Sequence, residues 1–530
     1  MSIGTGLSRI TGLGRFAAMA FALGVTESRL ADSYNIANTM PNVLYELALG
    51  GVLTSVFIPV VVAELRTREH DDAWEAASSL VATSMAVLVA LTLVVVVAAP
   101  FIIEIFTLRL SAQEAAEQQH VATFFLRFFA PQIALYGFAA ITGGLLNAHN
   151  RFAVPMFTPI LNNLVVIASF LIFAAVVGGT ATNASVSDNP GQMLLLALGT
   201  TGGVAAMAFA QWPFVRKLPG RLRVRINFRH PAVRKLARLS TWTIGYVAIN
   251  MVGFGIALYL ANQDQGGPTG YFTAFAFFQL PYGLAAVSIM TALVPTLAAQ
   301  YVDNDMAGFR TRTAGGLRAT AFLMVPATVA YLVLATPLIQ LLLERGVMGG
   351  ESTEFVSEML AMFAIGLVPF AAFQLFMRAF YARQDAKTPM LVNIVENVAT
   401  VALDFALFPS MGVQGLALAH SLGYVVGAVV AGMVLARRIG GLQRRHTTIE
   451  VGKVVVASAA AGVAMLAGRW LAEQAIGNQT AEALVEVIVG GGLGALVFLG
   501  CAHLLRVEDV GLLRRLLPRR LTARRSAAGA

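Results

Sequence analysis

Fourteen stretches of about 20 or more predominantly apolar residues, the length that spans a bilayer as helix, follow one another along the chain. They lie at roughly 6 to 24, 31 to 64, 75 to 100, 121 to 146, 153 to 178, 191 to 215, 236 to 261, 269 to 301, 315 to 344, 355 to 381, 389 to 408, 413 to 436, 452 to 473 and 482 to 505. The breaks between them carry turn residues: Gly178-Gly179-Thr180 through Asp188-Asn189-Pro190, Asn262 to Pro268, and Gly349-Gly350. No soluble domain has room between them, so the expected fold is an all-α integral membrane protein of about fourteen transmembrane helices. Composition points the same way. Charged residues are 12% of the chain, half of the about 25% of soluble domains, which excludes soluble enzymes, disordered scaffolds and fibrous proteins. The single cysteine, Cys501, has no second thiol for a disulfide or a metal site. Arg9 and Arg15 interrupt the first stretch and no small-residue cleavage site follows it, so it reads as a retained span rather than a signal peptide.

Lys and Arg fix the expected orientation, because they are retained on the cytoplasmic side. With the amino terminus inside, the inner segments hold Arg9, Arg15, Arg66, Arg68, Arg151, the cluster from Arg216 to Arg238, Arg310, Arg312, Arg318, Arg378, Arg383, Lys387, Arg437, Arg438, Arg444, Arg445, Lys453 and the tail from Arg506. The outer loops hold only Arg29, Arg109, Arg345 and Arg469. Both termini are therefore expected in the cytoplasm, with the chain crossing the membrane many times. The net charge of +9 is explained by attraction to anionic headgroups, with no need for nucleic acid.

An internal repeat organises the spans. At an offset of 234 residues, Asn147-Ala148-His149-Asn150-Arg151 falls on Tyr381-Ala382-Arg383-Gln384-Asp385, Pro155-Met156 on Pro389-Met390, Asn163 on Asn397, and Phe129-Ala130 on Phe363-Ala364. Six spans repeated, with two more at the end, predict a parallel two-lobed transporter in which six being even makes both copies run the same way. The expected divisions are an amino-terminal lobe over 1–216, a basic linker over 217–235, a second lobe over 236–437, two further helices over 438–507 and a basic tail over 508–530.

Within the spans, each ionisable residue costs about 2.5 to 3.5 kcal/mol on insertion scales and is a functional candidate by default. Arg9 and Arg15 are about 9 Å apart along a helix and roughly 120° apart around it, and two planar guanidiniums so placed can grip a diphosphate. The alternative for Arg9 is to reach back to the inner interface. In the second span Asn35, Asn38 and Asn42 recur at helical spacing, one polar stripe that also includes Asp32 and Glu46. Pro41 and the pair Gly50-Gly51 predict a bend or hinge there. Further along, Glu396 and Asp404 offer an ion pair or a cation site. No metal-ligand spacing, nucleophile triad or phosphate loop stands out.

Several segments together resemble the MurJ/MviN family of lipid II flippases: Ser8-Arg9 through Arg15, Ala31-Asp32, Met40-Pro41-Asn42, Gly50-Gly51-Val52-Leu53-Thr54-Ser55-Val56-Phe57-Ile58-Pro59, Gly144-Leu145-Leu146-Asn147-Ala148-His149-Asn150-Arg151-Phe152, and Phe380-Tyr381-Ala382-Arg383-Gln384-Asp385-Ala386-Lys387-Thr388-Pro389. The resemblance implies the multidrug/oligosaccharidyl-lipid/polysaccharide exporter fold, with spans thirteen and fourteen forming a lipid-tail groove. It implies transport of lipid II, the undecaprenyl-diphosphate-linked peptidoglycan precursor, from the inner to the outer leaflet. Arg9 and Arg15 would then engage the diphosphate and sugar headgroup. Asp32, Asn42 and Glu46 would belong to the cavity, and Pro41, Gly50 and Gly51 to its gate or hinge. No cofactor or metal is implied; a sodium or proton gradient or the membrane potential would drive the cycle, with Asp404 and Glu396 as the ion-site candidates. Expected partners are lipid II, membrane lipids and proteins of cell-wall synthesis around a monomeric flippase.

The chain departs from the family pattern at Tyr45-Glu46, where paired basic residues are usual, at Gly50, where an acid is usual, and at Phe275-Ala276, where an Asp-Arg pair is usual. Either Arg9 and Arg15 carry more of the anion binding or another cation such as Arg378 substitutes. The variant set resembles the actinobacterial branch, some of whose members add a cytoplasmic pseudokinase region; this chain ends before one. Two other functions stay open on the residues alone. An ion-coupled exporter of drugs or polysaccharide lipids would use acids such as Asp32, Glu46 or Asp404. A membrane glycosyltransferase acting on a polyprenyl carrier would need catalytic acids on an outer loop, and the loop with Glu104, Glu114 and Glu117 is short.

Overall fold

The structure is a computed structural model that describes residues 2–46, 70–218, 225–229, 231–475 and 479–511, all helix or connection and without a strand among them. Helices are the only way to satisfy every backbone group inside hydrocarbon short of a closed barrel, and the apolar stretches read from the sequence take that route. Among the described residues ten helices are long and apolar enough to cross a membrane, or eleven when the pair Gly350–Ile365 and Leu367–Ala382, bent by 48°, is counted as one span. Fourteen was expected. Lys387–Ile439 covers two of the expected stretches, the first helix carries two arginines, and the second is described only as far as Glu46.

The chain forms two compact units, Met1–Tyr271 with Leu343–Thr353, and Phe272–Leu342 with Glu354–Ala530. The first contains α1 (Ser2–Leu23), α2 (Leu30–Tyr45), α3 (His70–Thr107), α4 (Ala112–Phe129), α5 (Gln132–Ala148), α6 (Ala153–Val177), the short α7 (Asn183–Ser187), α8 (Pro190–Phe209), the single turn α9 (Trp212–Val215) and α10 (Pro231–Ala261), and ends within α11 (Gly267–Pro281). Its core is built around Tyr34 of α2. The Tyr34 ring meets Phe125, Phe129 and Phe170 edge-on at 5.9, 5.4 and 5.3 Å, and its hydroxyl, which a buried phenol must place somewhere, bonds Thr200 at 2.8 Å. One side chain thereby ties α2 to α4, α6 and α8.

The second unit takes up the rest of α11, a π-helical turn at Tyr282–Ala286, α12 (Val287–Val302), α13 (Met306–Leu343), α14 (Gly350–Ile365), α15 (Leu367–Ala382), α16 (Lys387–Ile439), α17 (Arg444–Ala475), α18 (Gln479–Val485), a second π turn at Glu486–Gly490, and α19 (Gly491–Leu504). The last helices pack on α13 through Phe322, Val325, Ala457, Ala461 and Phe498. Gly468 makes the crossing close: a Cβ there would stand 2.8 Å from the Gly490 Cα, the small-residue contact by which helices associate in lipid.

The repeat seen in the sequence is carried by the backbone. α5 closes at Asn150 (φ 59°) and α15 at Gln384 (φ 59°), 234 residues later. Each turn satisfies the last carbonyls in the same way: the amide of Arg151 bonds Leu146 O at 2.8 Å and that of Asp385 bonds Phe380 O at 3.1 Å, while Asn150 bonds Asn147 O and Gln384 bonds Tyr381 O, the two bonds of a Schellman closure. At the far end of the repeat, Gly178 caps α6 with φ 68° and Gly412 interrupts α16 with φ 58° and ψ −142°, a conformation open essentially to glycine alone. Residues 387–411 thus correspond to α6. The long α16 is two helices joined without a loop.

Candidate functional site

Arg9 and Arg15 sit on α1, partly buried. Neither has a hydrogen-bond acceptor or carboxylate partner among the described residues, apart from the Arg15 guanidinium lying 5.6 Å from the adjacent Phe16 ring. The Arg15 charge acts on the phenols of Tyr34 and Tyr136, which places it against the inner packing of the unit rather than on its periphery. α1 is held on α6 by Asn163, whose amide nitrogen donates to Ser8 O at 3.2 Å and Thr11 Oγ1 at 2.9 Å. These bonds lock the turn between the two arginines. Two anchored but uncompensated guanidiniums can accept a bidentate anion such as phosphate without first breaking an ion pair.

The start of α2 does different work. Asp32 is fully buried, and it accepts from the Gly266 amide at 2.8 Å, the Thr269 amide at 3.1 Å and the Thr269 hydroxyl at 2.7 Å. It caps the amino end of α11, where the helix dipole favours a carboxylate. One turn earlier Arg29 donates to the carbonyls of Asn262 (3.0 Å) and Gln263 (3.3 Å) just beyond α10 and pairs with Glu114 at 3.1 Å. Glu27 accepts from the Gly349 amide (2.7 Å) and the Ser352 hydroxyl (2.9 Å) at the start of α14. Six residues, 27–32, therefore carry complementary charges to three helix ends. Gly266 (φ 80°) has to be glycine, since a Cβ would lie 2.7 Å from Val25 O.

Further along α2, Asn35 donates to Thr269 Oγ1 at 3.1 Å, Asn42 donates to Asn38 O at 3.1 Å and is within hydrogen-bonding reach of the Tyr136 hydroxyl. Glu46 is exposed. The helix runs through the buried Pro41 as far as Tyr45; the expected hinge residues Gly50 and Gly51 lie outside the described residues. Of the expected set, the structure brings Asn42 within hydrogen-bonding reach of Tyr136, which also lies in the field of the Arg15 charge, and assigns Asp32 to a helix cap with both oxygens in use.

In the second unit, acids line α16. Glu396 accepts from Asn397 Nδ2 at 2.7 Å and Thr400 Oγ1 at 3.1 Å. Asp404, two turns on and fully buried, has no hydrogen-bond partner at either carboxylate oxygen and lies in the field of Glu396. Arg378, the alternative cation, is hydrogen-bonded to Tyr282 on the π turn after Pro281.

Sequence reasoning missed two features. Arg29 read only as an outer-loop charge and Glu27 went unremarked, although an acid suits a helix start and a base a helix end. A cavity beside Tyr45 and Tyr136 also went unseen; the adjacent glycines Gly143-Gly144 were its one visible sign.

The family model described as lipid II flippase MurJ matches residues 19–480. The chain belongs to the MurJ family. Among curated MurJ relatives, a probable lipid II flippase MurJ of Rhizobium meliloti is 28% identical over 476 residues, covering 88% of this chain and 85% of that one. The lipid II flippase MurJ of Burkholderia cenocepacia is 27% identical, with 82% of each chain covered. A solved MurJ structure in an inward closed conformation superposes with a TM-score of 0.74 at 22% identity over 95% of this chain and 98% of that one. An inward-facing MATE transporter gives 0.66 at 14% identity over 82% and 96%. These likenesses place the MurJ chain in the fold that MurJ shares with MATE transporters.

Proposed function

We propose that this chain carries lipid II from the inner to the outer leaflet of the bacterial cytoplasmic membrane by alternating access, as a transporter without a catalytic step. The observation that carries the reading, beyond membership of the family, is the pair Arg9 and Arg15, anchored through Asn163 and free of any carboxylate among the described residues. In this mechanism the two guanidiniums take the diphosphate of the carrier, and Asn42 and Tyr136 stand beside it. Binding a dianion there offsets two cations that otherwise remain uncompensated, so substrate and site stabilise each other. The helix caps made by Glu27, Arg29 and Asp32 hold one closed state, and their release accompanies the opposite one.

Coupling belongs to α16. An ionised carboxylate buried without a hydrogen bond costs several kcal/mol, so Asp404 has to be accompanied by a proton or a cation. Loading and unloading of the Asp404 and Glu396 pair, by sodium or protons, supplies the gradient dependence in this reading. Both termini face the cytoplasm, proteins of cell-wall synthesis are its expected neighbours, and the chain acts as a monomer. The deciding experiment measures lipid II accessible at the outer surface of cells depleted of this protein and then supplied with wild type or Arg15→Ala. Collapse on depletion, with rescue by wild type alone, is the expected result. Unchanged accessibility in cells lacking any second flippase overturns the substrate assignment.

A further inference from the structure

A cavity of about 310 Å³ opens among α2, α5, α6, α8 and the turn that follows α8 in the first unit, with neither arginine of the pair in its lining. Its wall is the ring of Tyr45 tilted by 37° against that of Tyr136, centroids 5.9 Å apart. Opposite these lie Asn147, Thr158 and Gln211. Gln211 is 3% exposed. Its Oε1 accepts from Thr142 at 3.1 Å and its Nε2 donates to Thr158 Oγ1 at 3.4 Å. A primary amide has two N–H groups and a threonine hydroxyl one proton, so one Gln211 N–H and the Thr158 hydroxyl proton are left to give to a ligand. The Asn147 amide makes no hydrogen bond among the described residues. No lining side chain is charged.

The repeat supplies an internal control. At the offset of 234, Gly143 and Gly144 become Met377 and Arg378, Asn147 becomes Tyr381 and Thr158 becomes Val392. Met377 is 2% exposed, so a large side chain occupies this position in the second copy. In the first copy a Cβ on Gly143 would already stand 3.3 Å from Gln211 Oε1 and 3.4 Å from Pro155. The two glycines keep open a space that the same backbone fills elsewhere.

We propose that this cavity is the subsite for one acetamido-sugar ring of the lipid-linked headgroup. The inference rests on the lipid II reading and names which part of that substrate the first unit holds. An aromatic face suits the apolar face of a pyranose, the free donors of Gln211 and Thr158 suit an acetamide carbonyl, and Asn147 can meet a ring hydroxyl. The volume is at the lower end of the ~300–1,000 Å³ typical of small-molecule pockets, room for one ring. The uncharged lining disfavours the acidic peptide, and the donors at the floor disfavour an acyl chain. Tyr136, which walls the cavity, also lies in the field of the Arg15 charge, as a ring bonded to the diphosphate requires.

The test uses the full chain in lipid nanodiscs and compares affinity for lipid II with affinity for undecaprenyl diphosphate, which has the same carrier and diphosphate but no sugar. Wild type is expected to prefer lipid II by about tenfold or more. Gly143→Met, which copies the second repeat, and Tyr45→Ala should both erase that preference while leaving undecaprenyl diphosphate within about twofold of wild type. Retention of that ligand also reports an intact fold. A preference kept in both variants, or both ligands lost together in both variants, overturns the sugar subsite. A wild-type protein that binds neither ligand better than a phospholipid overturns the lipid II reading itself, and this inference with it.

Discussion

The two copies of the repeat share a backbone and differ in charge. Over residues 150–178 and 384–412 the left-handed closing residue and the terminal glycine recur at one spacing, and a helix break precedes each copy. Yet the first copy, with α1 docked on it, presents two free guanidiniums, amides and an open uncharged cavity, whereas the second presents Glu396 and an unbonded Asp404 in the same stretch of helix. Asn163 and Asn397 are the matched pair at the centre of this divergence. Asn163 reaches out to hold α1, and Asn397 turns inward to Glu396 and to the backbone of Asn393. The shared scaffold thus carries amides and a docked pair of arginines in one copy and buried carboxylates in the other.

The largest effect expected from breaking this contrast is in the first copy. Arg15→Ala should abolish lipid II export and weaken lipid II binding by about 10- to 150-fold, the equivalent of one charge-assisted hydrogen-bonded contact of ~1.5–3 kcal/mol, with unchanged protein abundance. Arg15→Lys should fall between, because it keeps the charge and loses the fork. Binding to nanodisc-embedded protein checks both, and full export by Arg15→Ala would refute the division of labour. In the second copy Asp404→Asn should leave lipid II affinity within about twofold while transport loses its response to an imposed sodium or proton gradient in proteoliposomes. A variant that still responds to both gradients would remove Asp404 from the coupling site.

Much of this contrast could be read from sequence, and the reason is local. Apolar runs set where helices lie, the offset of 234 aligned the two turns, and arginines in an apolar span are conspicuous. The break at Gly412 was expected between two stretches ending at 408 and beginning at 413, because glycine there stands between two apolar periods. Asp32 entered the set as a substrate-binding residue of the cavity or its gate, whereas the structure shows it capping a helix. Its partners are 234 and 237 residues away, and nothing in the local pattern says that a carboxylate will meet a helix end. The sugar cavity was hidden for the same cause: it needs Tyr45, Gly143 and Gln211, from three separate helical segments, to converge.

A smaller effect distinguishes the loops that follow the two turns. The Arg151 side chain of the first copy makes one long bond among the described residues, to Phe214 O at 3.4 Å. Asp385 of the second accepts from the Thr388 amide at 3.0 Å, the Thr388 hydroxyl at 2.6 Å and Arg438. Partial burial alone would raise the Asp385 carboxyl, but the bonds from Thr388 and Arg438 outweigh it and hold it below its ordinary value. A depressed acid contributes stability above its unfolded value, and that contribution is lost as the pH falls through the folded one. Asp385→Asn should therefore cost about 1 kcal/mol at neutral pH, the worth of a cap and a partly exposed ion pair, and nothing once wild type is itself protonated. Asp509 has the opposite sign. Burial pushes it up to about 6, with Arg318 offsetting part and Glu508 and Glu450 adding to the rise, so Asp509→Asn should stabilise above that pH and have no effect below 3.8, its ordinary value. Thermal unfolding across pH separates the two.

The smallest expected effect compares the closing residues themselves. Asn150 and Gln384 occupy the same left-handed position, both exposed, where an L side chain crowds its own carbonyl at a cost of ~1–2 kcal/mol. Asparagine tolerates the conformation better than glutamine, because its short side chain can bond locally to the backbone. Glycine removes the crowding but loosens the unfolded chain by ~0.4–1 kcal/mol. The two terms nearly cancel at Asn150, so Asn150→Gly should move the unfolding midpoint little in either direction. At Gln384 relief of crowding is the larger, and Gln384→Gly should stabilise by about 0.5–1 kcal/mol. The reciprocal exchange sharpens the comparison: Gln384→Asn should recover part of that gain and Asn150→Gln should lose a similar amount. Equal responses at both positions would mean that surrounding packing, and not the shared backbone, sets the cost of the turn.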